Sequence, residues 1–366
     1  MRNHLHALCP YFAMFPASFA ESHVETFTEP DEYVFDPFCG RGTTVLQSLL
    51  MGRNAAGCDV NPVAYCVSDA KAKSPSCEAV GKRLDSLERL FADISREDLS
   101  AQEKALPTFF KWAYHSETLR CLLFLRGMLD WRDDEVDRFI AALILGSLHG
   151  EMDRSSAYFS NQMPRTISTK PEYSISYWRA RSLHPPRRLV FDMLRQKAAY
   201  RLNMDPPSKK GSVAMIDVRD SADVFKGLHG KIKAFITSPP YLNVTRYEED
   251  QWLRLWFLGR EPKPKYRPSD DRHVSPERYW EFLSDAWEGI APLAARSCVL
   301  VCRLAAKNIS RNELNDSLYD SLLTAFPRAY PISSPKISKI RRRQTGTFQP
   351  KAKGCFFEID YVFRLT

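Results

Sequence analysis

The segment from Tyr33 to Asp59, "YVFDPFCGRGTTVLQSLLMGRNAAGCD", constrains the fold more than any other part of the chain. An apolar stretch, Tyr33 to Phe35, runs straight into "DPFCGRGTT". A helical pattern from Val45 to Leu50 then stops at Gly52, and a second short apolar stretch, Ala55 to Cys58, ends at Asp59. Pro62 stands where the next helix would begin. Strand, glycine turn, helix, strand, acid is the order of a βαβ unit, which requires a parallel sheet covered by helices.

The turn itself reads as a ligand loop. Gly40 and Gly42 remove the Cβ where the backbone must bend out of a strand and leave room for a bound group. Asp59, at the end of the second strand, sits where dinucleotide-binding units keep the acid that accepts hydrogen bonds from a ribose. The spacing is D-x-F-x-G-x-G, not the G-x-G-x-x-G of a pyrophosphate cradle, so a nucleoside without phosphates fits better than a dinucleotide.

Beyond this unit the chain divides by periodicity. From about Glu78 to Leu148 the pattern is helical, with "LRCLLFLRGMLDW" and "VDRFIAALILGSLHG" carrying apolar residues at three- and four-residue spacing. Gly150 to Pro186 is polar, aromatic and irregular, too long for an ordinary connector. After a helix from Leu189 to Leu202, strands are expected at Val213–Ile216, Ala234–Ile236, Cys298–Leu304 and Phe356–Phe363. The expected architecture is an α/β sheet domain, residues 1–76 and 206–366, interrupted by a mostly helical insertion over 77–205.

Composition adds exclusions. No apolar run reaches membrane-spanning length, and the N-terminus lacks a signal pattern, so a cytoplasmic protein is the default. Nine cysteines without a C-x-x-C pair suggest neither a disulfide framework nor a zinc site. His115, His149 and His184 lack partners at metal spacing, and no metal is expected. The net charge of +8 is unevenly spread. Pro331 to Gly354 holds seven Lys/Arg and no acid, and Gln162 to Arg188 holds six against Glu172 alone. Both stretches are candidates for phosphate contact.

A second stretch carries chemistry. Ala234-Phe235-Ile236 runs into "TSPPY", and Pro239-Pro240 cannot continue a sheet ladder, so they make a stiff exit from the strand beside the ring of Tyr241. A rigid strand end next to an aromatic ring suits a flat substrate.

Taken together, "FDPFCGRGTT" and "TSPPY" resemble the S-adenosylmethionine-dependent DNA amino-methyltransferases, which methylate the exocyclic nitrogen of cytosine or adenine. The resemblance covers roughly residues 10–75 and 211–305 and the last strand. It implies a Rossmann-like methyltransferase sheet with S-adenosylmethionine as cofactor. Asp36, Phe38, Gly40, Gly42 and Thr43 would form the cofactor loop, Asp59 would hold the ribose hydroxyls, and Asp217 would sit beside the adenine. "MFPASF" would put Pro16 and Phe19 near the methionine end.

Ser238, Pro239, Pro240 and Tyr241 would be the catalytic motif. In the family an SPPY version is associated mainly with the N4 of cytosine, and DPPY or NPPY with the N6 of adenine. Ser238 Oγ and the Pro239 carbonyl would accept the two N–H bonds of the amine, and Tyr241 would stack on a base swung out of duplex DNA. No Pro-Cys dipeptide of the ring-carbon methylases occurs.

Target reading is less defined. In the insertion, Asn161, Gln162 and Arg165 are candidates for base edges, and Tyr173, Tyr177 and Trp178 for stacking. Arg341, Arg342 and Arg343 would suit the DNA backbone. Adenine-N6 methylation, RNA base methylation and a catalytically silent DNA-binding protein are the alternatives. A cognate restriction endonuclease is the partner expected if the enzyme belongs to a restriction–modification system.

Overall fold

The computed structural model describes residues 3–11, 15–150, 156–163, 170–242, 247–265, 275–305, 309–339 and 357–366. They fold as two compact units. One comprises Met1–Pro10, Asp69–Pro206 and Arg246–Arg267; the other comprises Tyr11–Ser68, Pro207–Thr245 and Pro268–Thr366.

The second unit is built on an eight-stranded sheet. Its strands are β1 (Tyr33–Asp36), β2 (Asn54–Cys58), β3 (Ser212–Ala214), β4 (Ile232–Thr237), β5 (Ala294–Leu304), β6 (Tyr330–Pro331), β7 (Lys336–Lys339) and β8 (Phe357–Leu365). The order is β3-β2-β1-β4-β5-β8-β6, with β7 also paired to β8. The first five run parallel, and β8 is antiparallel to β5. The fold is therefore α/β and Rossmann-like, with a mixed sheet. Strand order reverses between β1 and β4, which opens a crevice at the carboxyl ends of those strands, the usual ligand position in such sheets.

Period-two alternation sorts the core. Phe35, Phe235, Leu300 and Cys302 face one side, where Tyr279, Phe282, Leu283, Ala286, Trp287 and Ile290 of the helix Pro276–Ile290 pack against them. Those helix residues recur at three- and four-residue spacing, which makes one apolar stripe. Val34, Ala234, Ile236, Val299 and Val301 face the other side, against Phe19, Ala20 and Val24 of the helix Ala17–Phe27. With both faces covered, the strands read as nearly continuous apolar runs.

Three departures from the sequence reading have local causes. β5 starts at Ala294, not Cys298, because its register against β4 jumps from Ile232↔Ala294 to Ala234↔Val299 around Ser297, whose φ is 61°. The bulge absorbs polar residues that break the alternation. β3 ends at Ala214, short of Ile216. β6 and β7 carry no apolar pattern to find; β7 is an outer strand whose exposed Lys336 and Lys339 guard the sheet edge.

The helical unit buries Val80, Leu84 and Leu87 of the helix Cys77–Asp93 and Phe139 to Leu145 of the helix Glu135–Leu145. Trp252 and Trp256 lie on the helix Trp252–Phe257, both nearly inaccessible and packed on Phe110, as their spacing implies. Within the unit, Asp69 is fully buried between Arg138 at 2.8 Å and Lys73 at 3.1 Å. Seven of the eight described cysteines are buried, and all eight are free thiols.

The loop after β1 depends on its glycines for different reasons. Gly42 has φ 71°, and a Cβ there would lie 2.7 Å from Ser68 Cβ and 2.8 Å from its Cα. Gly40 has φ 51° but meets nothing closer than the Tyr11 ring at 3.7 Å. Gly40→Ala should cost about 1 to 2 kcal/mol, the left-handed penalty alone, and Gly42→Ala should cost more because backbone blocks the added methyl. Urea unfolding of both variants checks this. Equal losses would contradict the packing at Ser68.

Candidate active site

The crevice is organised by Asp36, the last residue of β1, which is 1% exposed. Its Oδ1 accepts the hydroxyl of Thr237, the last residue of β4, at 2.6 Å and the backbone N–H of Phe38 at 3.1 Å. Thr44 Oγ1 donates to the carbonyl of Ile236 at 2.9 Å, so the helix after the glycine loop is fastened to the same strand end. β2 contributes Gly57, a residue the sequence reading passed over. It lies opposite Asp36, and a Cβ there would stand 2.4 Å from the Asp36 carbonyl oxygen and from Cys39 Sγ.

Asp59 follows β2 and faces the loop. Its Oδ2 accepts the N–H of Gly40 and its Oδ1 that of Asn61, both at 2.9 Å. A carboxylate oxygen has two lone-pair directions, so each retains capacity for a further donor such as a sugar hydroxyl. Asp59 is half-buried. Desolvation pushes both Asp36 and Asp59 up to about 6, against the backbone N–H bonds that act in the opposite direction. Tyr11 borders the loop, with its ring against Gly40 and its hydroxyl 3.4 Å from Asn61 Nδ2.

The other loop positions are mainly structural. Phe38 packs edge-on against Phe282 and Trp287. Thr43 is buried at the start of the helix Thr43–Leu50, its Oγ1 accepting from Arg41 Nε at 3.3 Å. Asp217 caps the 3-10 turn Val218–Asp220, and its carboxylate is gripped by Arg219 through Nε and Nη2, both at 3.0 Å. Pro16 is exposed at the start of its helix.

At the end of β4 stands the motif Ser238-Pro239-Pro240-Tyr241. Ser238 is half-buried and its Oγ donates to the carbonyl of Arg303 at 2.9 Å, which leaves the hydroxyl's lone pairs to accept. Pro239 is buried and Pro240 half-buried. Tyr241 is 5% exposed, and its hydroxyl donates to Glu358 Oε1 at 3.0 Å. Burial, then the nearby Glu358 charge, holds the phenol well above its ordinary range, so it stays protonated. The ring is a fixed wall more than an open stacking surface.

Arg303 ties this wall together. It forms a bidentate pair with Asp360, Nε at 2.6 Å and Nη2 at 2.8 Å, and its Nη1 lies 3.4 Å from Glu358. Its guanidinium also lies 4.1 Å from the centroid of Phe19. Glu358, Arg303 and Thr237 escaped the sequence reading because their partners are 117, 57 and 201 residues away.

The remaining predicted residues divide. Arg165, Arg341, Arg342 and Arg343 lie outside the described residues. Asn161 and Trp178 are corrected. Trp178 is fully buried, donating to the Gln162 carbonyl at 2.6 Å, and Asn161 is buried with its amide on the carbonyls of Trp112 and Leu183. Neither presents an edge or face to a base. Tyr173 is exposed and Tyr177 half-buried.

Comparison with known proteins bears on the same segment. Residues 2–68, which hold Asp36, Gly40, Gly42 and Asp59, match the family model of the N6/N4 type of DNA methylase. The cofactor of that family is S-adenosylmethionine. The type II methyltransferase M.MjaII of Methanocaldococcus jannaschii is 28% identical over 81 residues, 22% of this chain; the chain spans 15% of the length of that curated relative. Among solved structures, the chain is similar to the rRNA methyltransferase AviRa from Streptomyces viridochromogenes, at 11% identity and TM-score 0.36, covering 100% of this chain and 94% of that one. TrmN from Thermus thermophilus aligns at 9% identity and TM-score 0.36, covering 99% and 52%.

The titration of Asp36 has a consequence for stability. An acid whose folded pKa is raised binds its proton more tightly folded than unfolded, so its contribution is present at low pH and is lost as pH rises from 3.8 through about 6. Both hydrogen bonds end on Oδ1, which Asn can supply. Asp36→Asn should therefore gain on wild type by up to about 3 kcal/mol between pH 4 and pH 7.5. Parallel pH dependences in urea unfolding would contradict the buried titrating carboxyl.

Proposed function

We propose that this chain is a methyltransferase that uses S-adenosylmethionine and modifies the exocyclic N4 of a cytosine swung out of duplex DNA. The observation that carries the reading is the joint at Asp36 and Thr237, which sets the glycine loop and Asp59 beside the end of β4, where Ser238-Pro239-Pro240-Tyr241 begins. The methylase model over residues 2–68 supports the cofactor half of this reading.

The donor set suits the cofactor. Asp59 offers lone pairs to a sugar, Gly40 and Gly42 bring backbone without a Cβ to the loop, and the buried Asp36 and half-buried Asp59 complement a cationic ligand. Gly40, Gly42 and Asp59 would hold the nucleoside, with Phe38 and Thr43 shaping the loop, Asp217 toward the base, and Pro16 and Phe19 toward the methionine end. When bound, S-adenosylmethionine supplies an activated methyl group.

The chain's task is to prepare the amine. The lone pair of an exocyclic amino group is delocalised into its ring, which makes it a poor nucleophile. Ser238 Oγ, already committed as a donor to Arg303, can accept one amine N–H, and the Pro239 carbonyl, fixed by the diproline, can accept the other. Two such acceptors favour a pyramidal nitrogen with its lone pair directed away from the ring. Tyr241, immobilised by Glu358, closes the pocket wall against the base. Good orientation of two reactants can be worth ~7 to 11 kcal/mol, so positioning supplies most of what this chemistry needs. The extruded base is required because the amine cannot be reached inside the stack.

Incubation with duplex DNA and cofactor, followed by nucleoside mass spectrometry, should yield N4-methylcytosine. N6-methyladenine would replace the cytosine reading, and methylated RNA alone would replace the DNA reading. Ser238→Ala should lower the single-turnover rate by about 10²-fold or more, as loss of one preorganised polar contact commonly does, with cofactor affinity near wild type. A wild-type rate would remove the motif from the chemistry.

A further inference from the structure

Several arginines of the helical unit are held by acids. Arg83 pairs with Asp137, Arg120 with Glu103, and Arg138 with Asp69, while Arg195 is shared by Asp85 and Glu88. Arg179 and Arg181 are exposed, and among the described residues neither guanidinium makes an ion pair or a hydrogen bond. Each instead lies on an aromatic ring. The Arg181 guanidinium is 4.0 Å from the centroid of Tyr177, and that of Arg179 is 5.3 Å from Trp112.

The helix Pro171–Ala180 produces this arrangement. Tyr173, Tyr177 and Arg181 fall at i, i+4 and i+8 on one face, with the two tyrosine rings 6.5 Å apart and Tyr173 51% exposed. His184 stacks on Trp112 at 6.2 Å. Lys111 and Lys170 are exposed in the same unit, and the stretch Gln162 to Arg188 carries six cations against one acid. A guanidinium stacked on a ring is fixed in orientation while its N–H edge stays free, which is the geometry that grips a phosphate in two-point fashion. The exposed arginines are thus preorganised, and among the described residues from 170 to 188 Glu172 is the one acid.

We propose that this face, Arg179 on Trp112 and Arg181 on Tyr177, is a docking surface for the phosphate backbone of duplex DNA. The proposal rests on the nucleic-acid reading above but is tested by binding, not by methylation. Its charge pattern selects a polyanion, and the continuous phosphate backbone of a duplex is the polyanion it is assigned to.

The test uses the full chain and a fluorescein-labelled duplex of mixed sequence, with anisotropy read across a salt series. Arg179→Ala with Arg181→Ala should reduce the slope of log K against log salt by about 2, near one unit per phosphate contact. Arg195→Ala, which removes a partly exposed cation already paired with acids, should leave the slope at the wild-type value. Tyr177→Ala keeps every charge yet should weaken binding at each salt concentration, and Tyr177→Phe should restore it, because the ring holds Arg181 in place. Thermal melts and cofactor titration establish that each variant is folded. A double variant with the wild-type slope overturns the docking surface and leaves the methyltransferase reading standing. Wild type that binds hairpin RNA in preference to the duplex overturns both the surface's assigned partner and the DNA reading.

Discussion

A single buried carboxyl holds the candidate site together. Asp36 ends β1 and Thr237 ends β4, and the 2.6 Å bond between them joins the two strands at which the sheet order reverses. A polar group this deep is costly unless it is hydrogen-bonded, and here Thr237 and the Phe38 N–H both donate to Oδ1. The same oxygen therefore fixes where the glycine loop starts and where the Ser-Pro-Pro-Tyr segment leaves the sheet. Without it, the two halves of the site would be joined by the β1–β4 ladder and the Thr44 hydroxyl on the Ile236 carbonyl.

A second polar device secures the far wall. Arg303 and Asp360 are directly opposed in the β5–β8 register, so their bidentate pair reports that the antiparallel strand is aligned correctly. Glu358, two residues along β8, then reaches Tyr241. A buried ion pair of this kind is weak evidence for stability, since desolvation offsets much of the attraction. Its value here is geometric. It carries the alignment of the last strand to the hydroxyl of Tyr241 and, through the Arg303 carbonyl, to Ser238.

Legibility in the sequence followed the range of the interactions. The βαβ unit from Tyr33 to Asp59 and the buried strands were readable because their signals are local: apolar runs, Gly40 and Gly42 at a turn, and Pro239-Pro240 where a ladder must stop. Trp252 and Trp256 were readable as packing from spacing alone. The bulge at Ser297 and the strands β6 and β7 were not, because a register shift, the two-residue pairing of β6 and the largely exposed Lys336–Lys339 leave no periodic trace. Trp178 was misassigned to stacking because composition cannot distinguish the buried face of the helix Pro171–Ala180 from the exposed face that bears Tyr173 and Tyr177. Thr237, Arg303 and Glu358 act through partners distant in sequence, and only the folded sheet brings them to one place.

The central claim is that the glycine loop and Asp59 form a nucleoside cradle. Its most direct measurement is calorimetric titration of S-adenosylmethionine into the purified chain and into Asp59→Ala. One-to-one binding is expected, weakened in the variant by roughly 1 to 3 kcal/mol, the cost of leaving hydrogen-bonding groups unpaired in a pocket. Wild type that takes up no cofactor, or a variant that binds as tightly as wild type, would contradict it.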